Sequence, residues 1–124
     1  MRALRFPLFL VLLLISPVTR AAQESNKPRL LFFTAAWCAP CQKIKPLVTD
    51  LAKRYGAELV MIDVDRFPES LEDFNVAGLP TIIVLDSKGR LRLRAQGANK
   101  QTMDSLASLL KSMAAAGAHS RKQV

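Results

Sequence analysis

Apolar residues fall into short blocks with two different periods, and the alternation of those periods predicts the element order. Leu30-Leu31-Phe32-Phe33 is a continuous apolar run; it predicts a strand over 29–34 covered on both faces, as in parallel sheets. Ile44, Leu47, Val48, Leu51, Ala52 and Tyr55 then recur at helical spacing, and Gly56 supplies the stop. A second strand is predicted over 59–64, with the intervening helix as a right-handed crossover. A short helix is expected from Pro68 to about Phe74, with Glu69 and Glu72 near its start and Leu71 and Phe74 turned inward. The β-type run Thr81–Leu85 leads through Asp86-Ser87-Lys88-Gly89, a hairpin composition, into a returning strand over 90–95. There Arg90, Arg92 and Arg94 should face solvent, discouraging edge pairing or offering a stripe to acidic partners, while Leu91, Leu93 and Ala95 face inward. Asn99 is placed to cap a last helix with Met103, Leu106, Ala107, Leu110, Met113 and Ala114 on its apolar face, ending at Gly117.

The order β-α-β-α-β-β-α predicts a single α/β domain over 29–116, with a central mixed four-stranded sheet flanked by helices. Residues 22–28 read as a polar lead-in and 117–124 as a polar tail. A chain of 124 residues has room for one core of this size.

The first 21 residues have a different pattern. Two arginines lie within Met1–Arg5, Phe6 to Val18 is nearly all apolar, and Thr19-Arg20-Ala21 puts small residues where a signal peptidase reads. This is the three-part form of a secretory signal, with cleavage expected after Ala21. The apolar run of about 13 residues is shorter than the roughly 20 a spanning helix needs. Export to a periplasm is therefore expected, with membrane contact only if the signal stays attached. The formal charge of +8 falls to +5 once Arg2, Arg5 and Arg20 are removed. Basic residues are scattered and aromatics few, so a solvated basic surface is expected and nucleic-acid binding is not.

Candidate chemistry sits at Trp37-Cys38-Ala39-Pro40-Cys41, between the first strand and the first helix, and holds both cysteines of the chain. At a helix mouth, unpaired backbone N–H groups and the helix dipole favour a thiolate, which makes Cys38 the expected nucleophile. Cys41, one turn deeper, is expected to resolve the mixed disulfide and close the redox-active Cys38–Cys41 bridge. A structural zinc site needs four ligands, and the chain offers two cysteines and the remote His119. No metal or organic cofactor is implied. A purely structural bridge is the other reading, although closing so short a loop removes little unfolded-state entropy.

Phe33-Thr34-Ala35-Ala36-Trp37-Cys38-Ala39-Pro40-Cys41, Pro46 inside the following helix, and Val76-Ala77-Gly78-Leu79-Pro80-Thr81 together resemble the thioredoxin superfamily. The resemblance spans 29–116, and the fold it implies is a minimal one, without an added N-terminal strand and helix, as in periplasmic thioredoxin-like domains. It further implies that Pro80 is cis, that Gly78, Leu79 and Pro80 bind substrate beside Trp37, and that Ala39, Pro40 and Pro46 shape the site. The expected activity is that of an exported thiol-disulfide oxidoreductase reducing protein disulfides. An oxidase or isomerase, or a redox-inert peptide-binding module, are the alternatives. Its partners would be disulfide- or thiol-bearing proteins and a thiol electron donor, and a monomer is expected. Thioredoxins usually place a buried aspartate six residues before the first cysteine and a lysine on the next strand. Here those positions are Phe32 and Met61.

Overall fold

A strand with no exposed side is stable only in the middle of a sheet, and Leu30, Phe32 and Phe33 are fully buried. In the computed structural model, which describes residues 26–122, β1 (Arg29–Thr34) is accordingly central. It pairs in parallel with β2 (Glu58–Asp63) and antiparallel with β3 (Thr81–Leu85), and β4 (Leu91–Gln96) completes the order β2-β1-β3-β4. The long helices are α1 (Ala39–Tyr55) and α3 (Lys100–Arg121), with the short α2 (Glu69–Asp73) between β2 and β3. Ile44, Val48, Leu51 and Ala52 of α1 join Leu106 and Leu110 of α3 and Ile82, Ile83 and Val84 of β3 in one core with β1. Each large side chain so buried contributes roughly 1.5–3 kcal/mol. The expected signal over 1–21 and most of the lead-in lie outside the described residues.

Element types match the expectations, and the differences are local. β2 begins one residue earlier than expected. β4 runs one residue later, and its register slips between Val84 and Leu85, so Leu85 faces Leu91. That irregularity leaves Leu91 exposed, where strict alternation had turned it inward; Leu93 and Ala95 are half-buried. In α2 the buried side chain is Ser70, while Leu71 is half-buried and Phe74 lies at the surface. Five residues are too few for one helical face to be set by periodicity; Phe74 instead tilts its ring against Phe33, with centroids 5.3 Å apart. Gly117 does not end α3, which continues to Arg121. Among the glycines, only Gly56, Gly89 and Gly97 have positive φ. With alanines at 114–116 and 118, Gly117 is carried through by its neighbours' helix propensity, at a cost of about 1 kcal/mol.

The three arginines near β4 already have intramolecular contacts. Arg90 Nε is 2.8 Å from Asp86 Oδ2, an Arg92 guanidinium nitrogen is 4.0 Å from the same oxygen, and Arg94 donates to the Asn75 carbonyl at 3.4 Å. Asp86 also accepts the Arg90 and Lys88 backbone N–H groups at 2.9 and 3.0 Å. The Arg90 N–H is the main cause holding this carboxyl below its usual value of 3.8; the Arg90 guanidinium and Lys88 N–H add to it, and partial burial opposes them.

A carboxylate depressed in the folded state contributes stability above its unfolded pKa, and that contribution fades as pH falls through the lower folded value. Asp86→Asn is therefore expected to lower the urea midpoint at pH 7. The gap to the unsubstituted protein should close as pH is taken below about 4; a gap that is the same at pH 7 and in acid would contradict the assignment.

Candidate functional site

The chain leaves β1 at Thr34 and turns through Ala35, Ala36 and Trp37 before entering α1. Cys38 donates its backbone N–H to the Ala35 carbonyl at 3.1 Å, which closes the turn. With extended φ −85° and ψ 97°, Cys38 is the residue that caps α1. A capping side chain accepts from an early backbone N–H, and here the acceptor is sulfur: Cys38 Sγ receives the Cys41 N–H at 3.3 Å. Ala39 and Pro40 begin the helix, where a missing proline N–H leaves no intrahelical bond broken. Gln42 braces the turn by donating its side-chain amide to the Ala35 carbonyl at 3.0 Å. Pro46 lies on the exposed side of α1, and its lack of an N–H leaves the Gln42 carbonyl without its helical donor. The helix nevertheless runs unbroken from Ala39 to Tyr55.

Cys38 and Cys41 are joined as a disulfide, with their Cα atoms 5.3 Å apart. Both are buried, yet only Cys38 borders open space. A groove of about 550 Å³ lies between the Trp37–Pro40 turn and the segment Val76–Leu79, with Val64 and Leu71 completing an apolar lining. Cys41 is fully buried and does not line it. The structure thus gathers Trp37, Cys38, Ala39, Pro40, Gly78 and Leu79 around one groove, with Pro80 buried directly behind.

The Leu79–Pro80 peptide bond is cis. Thr81 Oγ1 donates to the Gly78 carbonyl at 2.6 Å, and the Gly97 N–H donates to the Pro80 carbonyl at 2.9 Å. Those bonds fix the segment on either side of Leu79, whose own N–H and C=O have no partner among the described residues. An extended peptide could therefore pair with Leu79 as an added strand.

Asp65 is the neighbour that sequence reasoning missed. Trp37 is 70% exposed, but its indole N–H lies 3.0 and 3.2 Å from the two Asp65 carboxylate oxygens. Asp65 is itself held in a turn, donating its backbone N–H to Asp63 Oδ1 at 2.9 Å. The only sequence signal was an acidic pair, Asp63 and Asp65, straddling the end of a strand; the partner 28 residues earlier could not be read from spacing. Phe32 is fully buried directly across from Met61 in the β1–β2 register, so these two facing positions are both apolar. Among the described residues no three His, Cys, Asp or Glu side chains converge as a metal site.

The sequence model of the family described as Thioredoxin matches residues 18–112. Among curated proteins the chain is similar to Thioredoxin H4 of Arabidopsis thaliana, 36% identical over 84 residues, covering 66% of this chain and 70% of that protein. It is also similar to Thioredoxin H2 of the same plant, 33% identical over 90 residues, covering 72% and 67%. Among solved structures, the reduced thioredoxin pre-protein of Schistosoma mansoni superimposes with a TM-score of 0.62 at 31% identity, covering 71% of this chain and 80% of that one. The germline-specific thioredoxin Deadhead of Drosophila melanogaster gives 0.63 at 31% identity, covering 70% and 84%.

Trp37 is the single tryptophan, so its emission reports on the groove without interference. Asp65→Ala is expected to free the indole and lower its steady-state anisotropy, whereas Asp50→Ala, a change on the exposed flank of α1, should not. Equal anisotropy in all three proteins would show that the Asp65 contact does not hold the ring.

Proposed function

The chain belongs to the thioredoxin family and is a thiol-disulfide oxidoreductase; from that premise we propose that it is exported and reduces protein disulfides, with Cys38 attacking and Cys41 resolving. The observation that carries the role assignment is the asymmetry of the two sulfurs. Cys38 Sγ caps a helix, accepts a backbone N–H and borders the groove, while Cys41 is enclosed. In the reduced protein the same N–H and the helix dipole would stabilise a thiolate on Cys38.

The cycle balances without a cofactor. The Cys38 thiolate attacks one sulfur of the substrate disulfide, forming a mixed disulfide and expelling the other sulfur as a thiolate. Cys41 then attacks Cys38 Sγ, forming the Cys38–Cys41 bond and releasing the second substrate sulfur. Two electrons have passed to the substrate, and the Cys41 proton leaves with them. Because Phe32 occupies the usual position of the family's buried carboxylate, that proton goes to the released substrate thiolate or to water rather than to a protein carboxylate there. The substrate strand lies along Leu79, with Gly78 and Trp37 beside it. Ala39-Pro40 supports the reducing direction, since no histidine in that dipeptide adds a positive charge to hold the thiolate and favour the reduced protein. Export is supported by the signal pattern over 1–21, with cleavage after Ala21 and periplasmic delivery. The mature chain would act as a monomer on substrate proteins and be reduced again by a thiol donor.

Cys41→Ser expressed in the native host should accumulate mixed disulfides with substrate proteins, visible on non-reducing gels and lost on adding a thiol. Cys38→Ser should yield none; equal trapping by both variants would overturn the roles. Fractionation followed by N-terminal sequencing should find the chain outside the cytosol, beginning at Ala22. A cytosolic chain retaining its apolar N-terminus would remove the export reading and leave the exchange chemistry standing.

A further inference from the structure

Gln96, at the end of β4, lies opposite Thr81 in the strand register. Its side chain reaches across Gly78: a Cβ added at position 78 would stand 2.3 Å from Gln96 Nε2 and 3.2 Å from the amide carbon. Glycine is therefore what allows the carboxamide to rest on this segment. Gln96 is exposed, and its carboxamide forms no hydrogen bond among the described residues. Gly78 lines the groove beside Cys38, Gln96 stands outside that lining against Gly78, and the groove itself offers few polar side chains. Its lining side chains are apolar, and its one polar tip, the Trp37 indole N–H, is occupied by Asp65.

A polypeptide bringing a disulfide to Cys38 carries a backbone N–H and C=O at every flanking residue. Those facing Leu79 can be met by the unpaired Leu79 backbone; the next ones along would lose water against apolar walls without replacement, which is unfavourable. A carboxamide has both a donor and an acceptor, and Gln96 holds one at the Gly78 edge. We propose that Gln96 is a docking residue which hydrogen-bonds the substrate backbone beside the target cysteine and so favours extended polypeptide disulfides over small ones. The inference rests on the reductase reading and adds to it a determinant of substrate class.

The test uses the full chain with dithiothreitol as donor and two probes: a linear peptide closed by one disulfide, and dithiobis-nitrobenzoate, which has no peptide backbone. Losing one hydrogen bond to the substrate should lower kcat/KM on the peptide, relative to the reagent, by roughly 3- to 10-fold in Gln96→Ala, expressed in KM rather than kcat. Gly78→Ala should do much the same, because its methyl group displaces the far end of a flexible side chain. If both act through the carboxamide, adding Gly78→Ala to Gln96→Ala should cost much less than it does alone. An unchanged peptide-to-reagent ratio in Gln96→Ala, or fully additive losses in the double variant, would overturn the proposal. Failure of the unsubstituted protein to reduce either probe would instead remove the reductase reading beneath it.

Discussion

The contact between the Cys41 N–H and Cys38 Sγ is small, yet it requires most of the architecture. It exists only if the chain enters a helix at Cys38 itself, so that the sulfur occupies the place a serine or aspartate oxygen usually takes. That entry is fixed from behind by the buried end of β1 and by two bonds to the Ala35 carbonyl, one from the Cys38 backbone and one from Gln42. It is fixed from ahead by Pro40, whose restricted φ suits the first turn. β1 can hold such a turn because it is the central strand, paired on both edges and covered on both faces.

The same topology brings the second half of the site to the first. β3 is antiparallel to β1, so the loop that begins it arrives where β1 ends. Hence Gly78, Leu79 and Pro80 stand beside Cys38 although some 40 residues separate them in sequence. The β3–β4 hairpin necessarily lies at the opposite end, where Asp86 gathers Arg90 and Arg92. One end of the sheet carries the exchange chemistry, while ion pairs settle the turn at the other.

Much of this was legible because it depends on local signals. The apolar run of β1, the helical spacing after Cys41, Gly56 as a stop and Asn99 as a cap each act within a few residues, and Asn99 Oδ1 does accept the Thr102 N–H at 2.8 Å. The site residues came from short motifs whose meeting follows from strand direction. What was not legible depends on contacts across the fold. The slip between Val84 and Leu85 that exposes Leu91, the Trp37–Asp65 bond, and the resting place of Gln96 on Gly78 all depend on where two distant segments happen to meet. Gly117 was misread for a different reason. A glycine stops a helix only by turning left-handed, and sequence alone does not say whether it will.

Phe32 and Met61 show how one substitution pattern serves two demands. A carboxylate at the centre of β1 would have to be buried without a lysine opposite, and burying an unpaired charge costs several kcal/mol. With phenylalanine there, the centre of the sheet instead gains on the order of 1.5–3 kcal/mol of apolar burial. The described domain has one disulfide, and it is the bridge the chemistry must break. Its core must therefore hold in both redox states with no covalent help. With Phe32 facing Met61, the sheet is apolar at this position and no carboxylate stands there. On the proposed assignment, with Cys38 attacking and Cys41 resolving, the helix mouth is untouched by this substitution pattern, which bears on the resolving step.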